Sequence, residues 1–299
     1  MYEFLLAEKH FFALRKYCNF LRALPATLDQ LKHHSDTLQH QGHRLTTPPD
    51  IQRLKVLASF SAGYLERLES NISAFAKVCN EHLDHVSTFT AECRKLANET
   101  PRNGRGVRIS SVDFKRFKLA GSQWWIWFPP KDVRGLTDEL YFRLRRASSA
   151  LIDFKAVPNE LNWDIYNVFE RFFRSLTLKP CECHSDYSRL ESWYVSSGSS
   201  LPGMTNSSVP GGSPQARQAR ANEHLRELFA IKTDACSAIH NLNAFLFAMS
   251  YFLKSAENEL LAVKGTMKLS QLNCALANSQ QALNEVRTMV ARMLQWYRA

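Results

Sequence analysis

The chain has 299 residues, 45% of them apolar and 11% aromatic, with only 11 glycines and 11 prolines. That is one large domain or two small ones with enough apolar surface for a core, which excludes wholesale disorder and a turn-rich all-β chain. The formal charge is +10, and the segment 101–160 alone holds 12 basic against 6 acidic side chains. The excess is therefore a local patch rather than a uniformly basic surface.

The start, Met1 to Lys9, carries charge too early for a signal-peptide core. Phe4, Ala7, Phe11, Leu14, Cys18 and Leu21 then recur at spacings of three and four, which predicts a helix over 2–24. Pro25 is expected to end it and to open a weaker helix over 26–42. Thr47-Pro48-Pro49-Asp50 opens the longest pattern. Ile51, Leu54, Ala58, Ser61, Leu65, Leu68, Ile72, Phe75 and Cys79 begin a seven-residue repeat that runs on to Leu96. Unbroken, it is a helix of about 70 Å, with Gly63 and the Asn80 region as its points of interruption.

Residues 98–111 read as a loop. A short basic, aromatic segment follows, and Pro129-Pro130-Lys131-Asp132 caps a helix over 131–153. Another helix is expected over 160–178, stopped by Pro180. Fourteen of the 26 residues in 196–221 are Ser, Gly or Pro, which reads as a disordered linker. Two heptad-patterned helices joined at Gly265 complete the chain as an antiparallel hairpin. Leu190 to Val195 is the one modest strand signal. The predicted class is all-α: an elongated helical bundle (1–195), a disordered linker (196–221) and a C-terminal helical hairpin (222–299).

Seven cysteines scattered over a chain of this length point to a reducing compartment and to core thiols. No run of about 18 uncharged apolar residues occurs, so no spanning helix is expected. The expected location is cytoplasmic, with peripheral contact at a membrane as the alternative. Cys181-Glu182-Cys183-His184 lacks the second ligand pair that zinc requires, and Cys79, His82 and His85 share one helix face; neither is assigned a metal. No nucleophile elbow, phosphate-cradling loop or metalloprotease motif is present. No enzyme activity and no cofactor is expected.

Two groups of residues carry the functional reading. Arg105, Arg108, Lys115, Arg116, Lys118, Trp124, Trp125 and Trp127 combine cations with interfacial aromatics. They suit an anionic membrane surface, a single-stranded nucleic acid by charge and stacking, or the end of a bundle with solvated charges; nucleic acid ranks last. Leu242, Leu246, Met249 and Leu253, with Leu276, Leu283, Val286 and Val290, form the apolar faces of the hairpin. These serve either the chain's own core or self-association.

The run Val112-Asp113-Phe114-Lys115-Arg116-Phe117-Lys118 through Trp127, with the Leu- and Arg-rich helix to Phe154, resembles the HeLo and HeLo-like domains of fungal incompatibility and STAND-type proteins. The stretch Tyr166 to Leu176 with Cys181, Cys183 and His184 is similar to a segment of the same group. The resemblance spans about residues 1–195 and implies a helical, non-catalytic signalling or cell-death adaptor acting through helix–helix association with protein partners. Two departures matter. The charged Met1 to Lys9 replaces the small-residue apolar helix thought to insert in membranes, and no kinase-like region follows. The alternatives are a membrane-perturbing effector using residues 101–128, and a purely structural oligomerisation module.

Overall fold

The computed structural model describes residues 6–40, 51–99, 133–177, 213–263 and 269–298, and every regular element among them is helical. The helices are α1 (Glu8–His40), α2 (Ile51–Ala62), α3 (Tyr64–Glu99), α4 (Val133–Asp164), a π turn (Ile165–Phe169), α5 (Glu170–Thr177), α6 (Pro214–Val263) and α7 (Leu269–Arg298). The expected all-α class holds.

Pro25 does not end a helix, and the gap expected between 153 and 160 is absent. Pro25 lies inside α1 and Pro158 inside α4. An internal proline removes one ladder bond and costs about 3 kcal/mol. In α1 the buried stripe Leu14, Leu21, Leu24, Leu28 and Leu31 stays in phase across Pro25. In α4 Leu151, Phe154, Val157 and Leu161 do the same across Pro158. Each large apolar side chain gains about 1.5–3 kcal/mol on burial, so packing outweighs the break.

The long repeat does break at Gly63, between α2 and α3. A methyl group there meets nothing nearer than the Phe60 carbonyl oxygen at 4.0 Å. Gly63→Ala is therefore expected to be tolerated and to stabilise the fold by about 0.5–1 kcal/mol, by restricting the unfolded chain and favouring helix. A thermal melt with a lower midpoint than wild type would contradict this.

α6 begins inside the stretch expected to be linker. Ser213 Oγ accepts a hydrogen bond from the Ala216 amide at 3.3 Å, and Pro214 opens the first turn. Serine as N-cap followed by proline is a helix start, so 214–221 is helical and not disordered. Residues 196–212 lie outside the described residues.

The chain packs as two units. The first comprises Glu3–Leu68 and Val157–Asn243; the second comprises Glu69–Ala156 and Ala244–Ala299.

In the first unit, Phe20 lies 5.7 Å from Phe169 and 5.6 Å from Phe172 between ring centroids, with Tyr17 against Phe169 at 6.5 Å. The π turn sets this cluster. The Glu170 amide bonds back to the Ile165 carbonyl, five residues away, and Ile165, Val168 and Phe169 are all buried. The same unit holds the ion pairs Arg22–Glu66, Lys55–Asp29 and Lys232–Glu170.

In the second unit, Phe75 meets Phe154 at 6.4 Å and Phe245 meets Trp296 at 6.1 Å. Ser148 donates to Glu257 at 2.7 Å, Lys155 to Ser250 at 2.5 Å and Gln280 to Ser87 at 3.2 Å. Ser148 and Lys155 of α4 thus bond the α6 segment of this unit, and Ser87 of α3 bonds α7.

Candidate functional site

The two groups singled out in the sequence have different fates. Arg105, Arg108, Lys115, Arg116, Lys118, Trp124, Trp125 and Trp127 lie outside the described residues, as do Cys181, Cys183 and His184. The eight heptad residues are described and all are core: Leu242, Leu246, Met249, Leu253, Leu276, Leu283, Val286 and Val290 are each buried. Among the described residues, no group of three or more His, Cys, Asp or Glu is arranged to hold a metal ion.

The first unit also holds a polar cluster that lies outside both groups. Ser61, in the last turn of α2, is fully buried and its hydroxyl is bonded to Asp164 Oδ2. Asp164 is itself buried and is the last residue before the π turn. Burial pushes its carboxyl above the usual range; the Ser61 hydrogen bond and the Arg67 charge oppose that, and Glu160 reinforces it. Arg67 bonds Glu160 at 2.6 Å, and its guanidinium stands 5.0 Å from the centre of the Phe60 ring.

The buried phenols and thiol of this unit stay neutral. The Tyr17 and Tyr64 hydroxyls are buried with no hydrogen-bond partner among the described residues. Burial pushes both phenols well up. Burial likewise raises the Cys18 thiol to about 12, and in the second unit it does the same to Cys79. Both are protonated core groups, as expected for buried thiols in apolar surroundings.

The sequence does hold a signal for this cluster. Ser61 occupies an apolar position of the long repeat, and Asp164 falls between Leu161, Ile165 and Val168 on a buried stripe. A polar residue at a core position requires a partner, and two such positions in one chain are candidates for each other.

The second unit presents a different feature at its surface. On α6, Phe247 and Tyr251 are four residues apart and 71% and 69% exposed, with Lys254 three residues further along the same face. On α4, Ile152 is 66% exposed. Lys155, three residues on, holds its ammonium 5.9 Å from the Phe247 ring centre. Exposed aromatics with lysines beside them have the composition of an interfacial face, in which rings enter the apolar layer and ammonium groups reach the headgroups. The acids nearby in the chain are Glu257, already bonded by Ser148 and Lys254, the exposed Asp153 and the half-buried Glu259.

No family model and no curated protein matches the chain. Its fold is similar to that of XaxA from Xenorhabdus nematophila, known from a crystal structure. The TM-score is 0.55 over 98% of this chain and 97% of that one, at 12% identity. At that identity the likeness is one of fold, and it runs from end to end: the chain shares its helical architecture with XaxA.

Proposed function

We propose that the chain is a membrane-perturbing helical effector. The observation that carries this reading is the face formed by the exposed Ile152, Phe247 and Tyr251 beside Lys155 and Lys254. The basic aromatic sequence from Arg105 to Trp127 supports it. Among the described residues no helix is long and apolar enough to cross a membrane. The proposed contact is therefore interfacial, through helices that present one apolar face to the headgroup boundary. The signalling adaptor ranks behind this reading, because the heptad faces that would recruit partners are buried within the chain.

Co-sedimentation and dye leakage with anionic and neutral vesicles, at low and high salt, test the proposal. Binding to anionic vesicles with dye release is expected, weakening as salt screens the lysines and arginines. Absence of both binding and leakage at low salt would sink it. The pair Phe247→Ser and Tyr251→Ser is expected to weaken binding about tenfold or more, since each inserted ring gains on the order of 1.5–3 kcal/mol. Lys115, Arg116 and Lys118 changed together to glutamine are expected to lower the anionic preference instead, by about 1 kcal/mol per charge. Unchanged binding in both variants would move the contact to other residues.

A further inference from the structure

We propose that Lys155 and Ser250, in the seam between α4 and α6, bind the terminal phosphate of a phosphomonoester lipid, one whose phosphate carries no further headgroup. The site lies within the membrane face proposed above and rests on that reading; it adds which lipid the face selects.

Two cross-links define the seam. Ser148 bonds Glu257, and Lys155 bonds Ser250. Seven residues forward along α4 match seven residues back along α6, so the helices run antiparallel here. The two links stand about two turns, or roughly 10 Å, apart. Both lie in the second unit. The two lysines of the seam differ in their partners. Lys254 is exposed, and its ammonium is 3.0 Å from Glu257. That carboxylate also takes the Ser148 hydroxyl. Lys155 is half-buried, and its partner is a hydroxyl, Ser250 Oγ at 2.5 Å. Among the described residues no carboxylate pairs with it. Burial lowers its pKa, and no neighbouring acid offsets this.

The donor count gives the ligand. An ammonium has three N–H groups, and Lys155 spends one on Ser250. Ser250 accepts that bond, and its own O–H has no acceptor among the described residues. Two N–H groups and one O–H therefore radiate from two atoms 2.5 Å apart. A half-buried cation with open donors calls for an anion with several bare oxygens. A phosphomonoester supplies three. A phosphodiester supplies two, and its headgroup must find room beside the rings.

The surroundings make the source a lipid. Phe247 precedes Ser250 by three residues and Tyr251 follows it directly, and both rings are exposed. The Lys155 ammonium stands 5.9 Å from the Phe247 ring centre, and the exposed Ile152 lies one turn before it on α4. These side chains suit the glycerol and acyl boundary behind a lipid phosphate. They offer nothing to a free inorganic phosphate.

The test is co-sedimentation of the full chain with phosphatidylcholine vesicles containing either phosphatidate or phosphatidylglycerol, matched in zeta potential, at low and high salt. Phosphatidate vesicles are expected to bind about tenfold more tightly, the scale of a charged hydrogen bond. The margin is expected to persist at high salt, because a half-buried pair is screened little. Lys155→Met keeps the stem in the seam and removes the ammonium. It is expected to erase the margin and leave a weaker, salt-sensitive binding to both vesicles. Ser250→Ala, a favourable residue in a helix, is expected to cut the margin about threefold. Equal binding of wild type to the two vesicles, or a margin that survives in Lys155→Met, overturns the site while membrane contact itself stands. Absence of binding to either vesicle at low salt overturns the membrane reading and the site with it. Inorganic phosphate in excess is expected to leave the margin unchanged. Competition that abolishes it identifies the ligand as free phosphate and overturns the lipid assignment.

Discussion

Replacing Phe172 with alanine is expected to destabilise the first unit by about 3–5 kcal/mol, the range for removing a buried phenylalanine. The ring is fully buried on α5 and packs against Phe20 of α1. Phe20 in turn meets Phe169, and Phe169 meets Tyr17. Tilted aromatic pairs of this kind contribute about 0.5–1.5 kcal/mol beyond the area they bury, so the loss of one ring is felt by its neighbours. The cavity cannot close easily. α5 is only eight residues long and is held behind by the π turn, and its first residue, Glu170, is paired with Lys232. Urea unfolding followed by circular dichroism measures the effect. A midpoint shift corresponding to less than about 1 kcal/mol, at the scale of a surface substitution, would mean that the aromatic cluster is not the anchor of this unit.

That cluster shows what local sequence pattern makes legible and what it hides. Phe169 and Phe172 are visible as apolar positions of a helix beginning near 160. The π turn that brings Ile165, Val168 and Phe169 all inward is not, because a one-residue widening leaves the apolar spacing nearly unchanged. Pro25 and Pro158 mislead for a related reason. A proline is a strong local signal against a continuous helix, yet the apolar residues on either side remain in phase, and the contacts that reward this come from distant segments. Ser213-Pro214 is the converse: a cap-and-first-turn signal hidden by the Ser- and Gly-rich stretch before it. The hydroxyl of Ser61 is readable as an odd residue in a leucine repeat. Its partner, 103 residues away, is readable only as a second oddity. Local periodicity announces which face is buried; it does not announce what the face is buried against.

Leu246→Asp is expected to abolish folding of the second unit, at any protein concentration. Leu246 is fully buried on α6, next to Phe245, which meets Trp296 of α7. The substitution removes about 1.5–3 kcal/mol of burial and places an unpaired carboxylate in an apolar core, a change at the far end of the range for single substitutions, about 4–5 kcal/mol or more. Phe247→Asp is its control. That neighbouring side chain is 71% exposed, so a carboxylate there stays hydrated and is expected to change stability by no more than about 0.5 kcal/mol. The pair separates two roles for the heptad leucines. A core residue gives a chain with lost helicity and an early, broad melt in dilute solution. A residue whose burial comes from a second copy gives a folded monomer of native helicity that has lost only its assembly. Circular dichroism with analytical ultracentrifugation over a wide concentration range distinguishes these outcomes. A native-like Leu246→Asp monomer would show that α6 gains its stability from another chain rather than from the α4 and α7 segments against it.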